Sequence, residues 1–116
     1  GPSTWLASRA KVAGLVLHAP LLSGLKVLDP AAHELCRPSC MCRCVDPYRN
    51  CDLIRKVVAP TLVIHGHADE VIPFEHAEQL YANCRAEAKT SPYFVPGAGH
   101  NNVVEKDKDT YYTRMK

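Results

Sequence analysis

Two short stretches of the sequence gather residue types that can move protons. The first is His65-Gly66-His67-Ala68-Asp69-Glu70-Val71-Ile72-Pro73, and the second is Pro96-Gly97-Ala98-Gly99-His100-Asn101. Each follows an apolar run, and each puts a titratable side chain in a turn marked by glycine. A carboxylate from one turn and an imidazole from the other can form the orienting half of a catalytic triad. There the carboxylate holds the ring in one tautomer and stabilises the imidazolium. Asp69 and His100 are the candidate acid and base, with Glu70, beside Asp69, the weaker candidate acid. The glycines let the backbone turn sharply enough for the ring to face the edge of a sheet. A lone Asp in a turn is usually solvated or a cap. It is the paired spacing, the strand ends and the glycines together that carry the catalytic reading. The remaining histidines read as structural or exposed. His65 and His18 sit at strand ends where a ring can satisfy backbone groups. His67 is expected to be exposed, and His33 and His76 are expected at the surface.

Such turns need rigid supports, and the flanking sequence supplies them. Val12–Leu17 is a continuous apolar run, as expected of a strand covered on both faces, and His18-Ala19-Pro20 ends it. Pro60–Gly66 is the clearest strand. Phe74–Arg85 reads as an amphipathic helix, with Ala77, Leu80, Tyr81 and Cys84 at i, i+3, i+4 and i+7. Pro73 stands just before it, a favoured position at a helix start. Ser91–Pro96 is a third short strand. Pro2–Arg9 can form one or two helical turns, Cys51–Val58 a short helix, and Lys106–Lys116 a last one. Leu21–Asp29 has no clear class. The alternation of strands and helices predicts an α/β fold with a parallel sheet and helices on its faces. Functional residues of such a sheet gather at the carboxyl ends of its strands, which is where both stretches fall.

Composition agrees with one small domain of 116 residues, 47% hydrophobic and 22% charged. No apolar run approaches the roughly 18–20 residues of a membrane-spanning helix. The net charge of +2 comes from interspersed signs rather than a basic stripe, so no nucleic-acid partner is expected. Gly1–Ala10 lacks the basic-then-apolar pattern of a secretory leader. With no initiator Met, the chain is expected to be part of a longer one.

Five of the six cysteines fall between Cys36 and Cys51. Residues 33–51 also hold Pro38 and Pro47, and read as a loop or insertion. Cys36, Cys40, Cys42, Cys44 and Cys51 admit three readings. Four thiolates can hold zinc tetrahedrally, with His33 nearby, although Cys-x-Cys-x-Cys departs from the usual Cys-x2-Cys knuckle. An even cysteine count also permits disulfides. Free thiols in a surface insertion, in a reducing compartment, are favoured on spacing, because the apolar pattern elsewhere needs no staples.

The motif His65-Gly-x-x-Asp69-Glu-Val-Ile-Pro73, followed by Gly97-x-Gly-His100, resembles the C-terminal half of a serine α/β-hydrolase. The triad of that fold runs Ser, Asp, His along the chain. Leu6-Ala-Ser-Arg9, Leu17-His-Ala-Pro-Leu-Leu-Ser-Gly-Leu25, Leu62-Val-Ile-His-Gly66 and Gly97-Ala-Gly-His-Asn101 are similar to the family-17 α/β-hydrolase-domain proteins. That family contains membrane-associated thioesterases that remove palmitate from protein cysteines. The resemblance covers nearly all of residues 1–116 except the Cys36–Cys51 stretch. It implies the C-terminal portion of an α/β-hydrolase domain, with about three parallel strands and flanking helices. It makes Asp69 the triad acid and His100 the base, with no cofactor.

The implied substrate is an acylated protein or a lipid ester. The implied location is cytoplasmic, at the cytosolic face of membranes, contacted through a part upstream of Gly1. No Gly-x-Ser-x-Gly elbow occurs here, and Ser3, Ser8, Ser23, Ser39 and Ser91 lack its context. The nucleophile is expected a few residues before Gly1, and the chain alone is expected to be inactive. The strand Val12–His18 then has an open edge, which predicts self-association. The Cys36–Cys51 stretch lies where such folds carry lid or pocket elements, so a part in shaping an acyl pocket is expected of it.

Overall fold

The computed structural model describes residues 1–28, 46 and 48–116. Helix α1 (Pro2–Ala7) leads to strand β1 (Leu15–His18) and helix α2 (Gly24–Leu28). Helix α3 (Asn50–Leu53) then runs into a 3-10 turn, Ile54–Lys56. Strand β2 (Thr61–Gly66), helix α4 (Phe74–Asn83), a 3-10 turn at Ala86–Ala88 and strand β3 (Tyr93–Val95) follow. Helices α5 (Val103–Lys106) and α6 (Lys108–Arg114) close the chain. The strands form one parallel sheet in the order β1-β2-β3. The α/β architecture expected from the alternation is therefore present. Among the described residues, no helix is long and apolar enough to cross a membrane.

Register explains where the strands stop. β1 pairs Leu15 through His18 with Thr61 through Ile64, and the Leu15 amide donates to the Pro60 carbonyl at 2.8 Å. Pairing thus begins where β2 begins, and Val12–Gly14, expected in the strand, lie before it. β3 pairs Tyr93–Val95 with Ile64–Gly66. It is shorter than the expected Ser91–Pro96 because Pro92 has no amide to give and β2 ends at Gly66.

In a parallel sheet, paired residues share a face. Leu15 and Leu17 of β1 pack with Ala7, Leu22, Ile54, Val57, Leu80 and Cys84 on one side. Leu62 and Ile64 of β2 pack with Val95, Ala98, Val103 and Tyr111 on the other. Every residue of β2 is buried. In β1, burial alternates, and Val16 is 45% exposed. The expectation that this strand is covered on both faces does not hold for the described residues: Tyr111 of α6 packs against Leu62, Ile64 and Val95 of β2 and β3, while Val16 of β1 stays 45% exposed.

The helices depart from expectation at their ends. α4 stops at Asn83, before the expected Arg85, because Cys84 adopts an extended backbone. Ala77, Leu80 and Cys84 are buried as the periodicity predicts, and Tyr81 is half-buried. The single helix expected over Lys106–Lys116 is two helices broken at Asp107, whose φ of −156° leaves helical space. Its Oδ1 accepts from the Thr110 amide at 3.0 Å and caps α6, as a short acid at a helix start does. Cys51–Val58 is helical only to Lys56 and starts one residue earlier, at Asn50.

Asp46 ties two distant pieces of chain together. Its carboxylate accepts from the Ser23 hydroxyl, from the Gly24 amide at 3.0 Å and from the Tyr48 amide at 2.9 Å. Beside this clamp, the Asn50 side-chain amide donates to the Leu21 carbonyl at 2.8 Å, and the Cys51 amide to the Leu22 carbonyl at 3.0 Å. The Leu22 amide in turn donates to Nδ1 of His76 at 3.1 Å. His76 is therefore buried, 8% exposed, and not at the surface as expected. Its place on α4 faces the segment leaving β1, and burial lowers its pKa. Cys36, Cys40, Cys42, Cys44 and His33 lie outside the described residues. Cys51 and Cys84 are free thiols, which burial pushes up in pKa. The described residues contain no cluster able to hold a metal.

Candidate active site

Gly66 ends β2 under the turn that follows β3. A Cβ at this position would lie 2.3 Å from the carbonyl oxygen of Ala98, so only glycine fits. The two loops are then laced together. The His67 amide donates to the Val95 carbonyl at 3.0 Å, and the Ala68 amide to the Ala98 carbonyl at 2.9 Å. Gly97 supplies a positive φ of 65° to turn the chain back after β3. Asn102 fixes the far side of that turn, its Oδ1 accepting from the Gly99 amide at 2.7 Å.

This lacing brings Asp69 to His100. Nδ1 of His100 lies 2.8 Å from Oδ2 of Asp69, although the residues are 31 apart in sequence. The other carboxylate oxygen, Oδ1, accepts from the amides of Val71 at 2.9 Å and Ile72 at 2.8 Å. The Asp69 side chain is wholly buried, and that of His100 is 31% exposed. Burial pushes the Asp69 carboxyl up, but the hydrogen bonds from Ile72, His100 and Val71 outweigh it and hold the pKa below its ordinary 3.8. Asp69 is thus an anion at neutral pH, and an anion accepts from a ring N–H. That assigns the hydrogen of the Asp69–His100 bond to Nδ1, and in the neutral ring the lone pair is then on Nε2. No described residue hydrogen-bonds Nε2.

The other candidates fall elsewhere. Glu70 is exposed and makes no bond to His100. His65 is fully buried, and its Nε2 lies 2.9 Å from the Ile72 carbonyl oxygen, the backbone role expected of it. His67 is exposed and lies against the Phe74 ring at 4.0 Å between centroids. His18 lies at the end of β1, with Nδ1 hydrogen-bonded to the Tyr111 hydroxyl at 3.3 Å. Partial burial and the neighbouring His100 lower its pKa. Asn102 and Tyr111 were not singled out by sequence reasoning. Asn102 lies three residues beyond Gly99, a spacing typical of a side chain closing its own turn. Tyr111 gives no signal beyond helical periodicity.

Comparison with known proteins bears on the family and the fold. Residues 41–116 match the model of the prolyl oligopeptidase family, Peptidase_S9. The chain is 43% identical over 102 residues to the α/β-hydrolase domain-containing protein aho-3 of Caenorhabditis elegans, covering 88% of this chain and 28% of that protein. It is 41% identical over 102 residues to human α/β-hydrolase domain-containing protein 17C, covering 88% and 28%. It thus spans less than a third of the length of these curated relatives. The structure of Paleococcus ferrophilus monoacylglycerol lipase, 18% identical, superposes with a TM-score of 0.63 over 97% of this chain and 60% of that one, which speaks for the fold. With its family match covering more than half of its residues, the chain belongs to the prolyl oligopeptidase family of α/β-hydrolases.

Proposed function

We propose that these residues are the acid–base portion of a serine hydrolase that cleaves acyl esters and thioesters, with fatty acyl thioesters on protein cysteines as its substrates. The observation that carries the reading is the 2.8 Å bond between buried Asp69 and half-exposed His100, with Nε2 of the ring left free. The substrate class rests on similarity to the family-17 proteins. A serine upstream of Gly1 attacks the acyl carbonyl while Nε2 of His100 takes its proton. The ring then gives that proton to the departing thiolate, and the acyl-serine is hydrolysed by water activated in the same way. Asp69 keeps the hydrogen on Nδ1 and stabilises the imidazolium. The scheme uses no cofactor. It places the enzyme in the cytoplasm, at the membrane surface where acylated proteins lie. Residues 1–116 are inactive alone, and self-associate through β1, whose outer edge is unpaired among the described residues. A sharp monomer in sedimentation would refute that last point.

The test is labelling by a fluorophosphonate probe, read by intact mass, on this chain and on one extended upstream through a Gly-x-Ser-x-Gly elbow. The expected result is one probe mass on the extended chain, lost in His100→Ala, and none on the shorter chain. Failure to label a folded extended chain overturns the serine-hydrolase reading and leaves a cysteine-rich binding module in its place. Turnover of a palmitoyl thioester against a monoacylglycerol then decides the substrate.

A further inference from the structure

His65 occupies an unusual position for a polar ring. It lies on the fully buried strand β2, with no exposed surface, and its Nδ1 has no hydrogen-bond partner among the described residues. An apolar side chain would fill the space without leaving a polar atom unpaired. What the ring does have is at Nε2. This atom lies 2.9 Å from the carbonyl oxygen of Ile72 and 3.4 Å from Oδ2 of Asp69. A carbonyl only accepts, so Nε2 carries the hydrogen. The N–H therefore donates to Ile72, and the Asp69 oxygen that meets His100 lies 3.4 Å from the same nitrogen without accepting a hydrogen bond from it.

Ile72 is thus held on both sides. Its amide donates to Oδ1 of Asp69, and its carbonyl accepts from His65. The turn from Asp69 to Ile72 closes upon the carboxylate at one end and the ring at the other. With Oδ1 held by two amides, rotation of the carboxylate is restricted, and Oδ2 is left to face Nδ1 of His100 and the edge of His65.

We infer that His65 is a positioning residue of the acid–base pair: through its hydrogen bond to the Ile72 carbonyl, with its ring edge 3.4 Å from Oδ2, it holds the Asp69 carboxylate in the orientation that binds His100. The inference rests on the proposed hydrolase reading for its effect on turnover, but its structural core does not. The spacing His65-x3-Asp69-x2-Ile72 allows it, because β2 delivers the ring and the turn returns the chain three residues past the carboxylate.

The experiment separates the two claims. In the 116-residue chain, the Nδ1–H of His100 is read by proton NMR as a downfield imidazole resonance, identified by its loss in His100→Ala. It is expected to persist in His65→Gln, whose side-chain amide can still donate, and to broaden or disappear in His65→Leu. An unaltered resonance in a folded His65→Leu protein overturns the inference. If His65→Leu does not fold, the wild-type tautomer decides. Nitrogen-15 shifts must show the hydrogen on Nε2 of His65, and a hydrogen on Nδ1 instead refutes the proposal. In the extended, labelled chain, His65→Leu is expected to lower kcat at least tenfold with little change in KM, and His65→Gln to restore most of it. An altered resonance without any probe labelling would leave the positioning role standing and remove the hydrolase reading.

Discussion

β1 and β2 lie side by side in one sheet, and both derive from continuous apolar runs, yet they end in different surroundings. β2 is buried from Thr61 to Gly66, while β1 alternates, with Val16 nearly half exposed. The difference is one of neighbours. β2 has a paired strand on each edge, α4 on one face and α6 on the other. β1 has a strand on one edge and is covered on the face of Leu15 and Leu17. The strand that carries the site loops is the one whose environment the described residues complete. An apolar run states that a strand is to be buried, and not by which part of the chain.

The comparison can be broken or sharpened by substitution. The largest effect is expected where β2 meets its loop. Asp69→Asn in a protein that contains the nucleophile should lower kcat by about 10⁴-fold, because an amide favours the wrong tautomer of His100. A reduction below tenfold would separate Asp69 from the chemistry. Next comes core volume. Ile64→Ala, at a fully buried position, should cost about 2–5 kcal/mol in denaturant unfolding. Val16→Ala, one strand away, should cost about 0.5 kcal/mol or less. Equal costs would show that Val16 is covered after all.

Gly66→Ala should cost about 1–3 kcal/mol, since backbone at Ala98 must move to admit a methyl group. It should also weaken the Asp69–His100 bond, read by the same imidazole resonance. The smallest effect is pH-dependent. Because the Asp69 pKa is lowered on folding, its contribution is fully present above its ordinary 3.8 and is lost as pH falls through the folded value. Asp69→Asn should therefore flatten the acid end of the stability profile below about pH 4 and leave its shape near neutrality unaltered. An unchanged acid limb would mean that other carboxylates set it.

Much of this was legible because punctuation and chemistry coincide. Pro60 and Gly66 bracket β2, and the glycines at 97 and 99 mark the second turn, so the sequence alone places Asp69 and His100 at two strand ends. The 2.8 Å contact then follows from the parallel order of β2 and β3. Other features depend on packing that local patterns do not encode. His76 follows Glu75 near the start of α4 and reads as surface, but the segment leaving β1 crosses that turn and uses its ring as an acceptor. The break at Asp107 hides inside a helical pattern, because an acid reads equally well as a helix interior and as a cap. The exposure of Val16 depends on what lies over it, which its own sequence does not specify.

The clamp at Asp46 bears on how this sequence can change over time. It brings Ser23 and Gly24 beside Tyr48 whatever the number of residues between, so the sheet and the site see the same two fixed ends. Asp46 is therefore a residue at which one change would be felt by two pieces of chain at once, the one leaving β1 and the one entering α3.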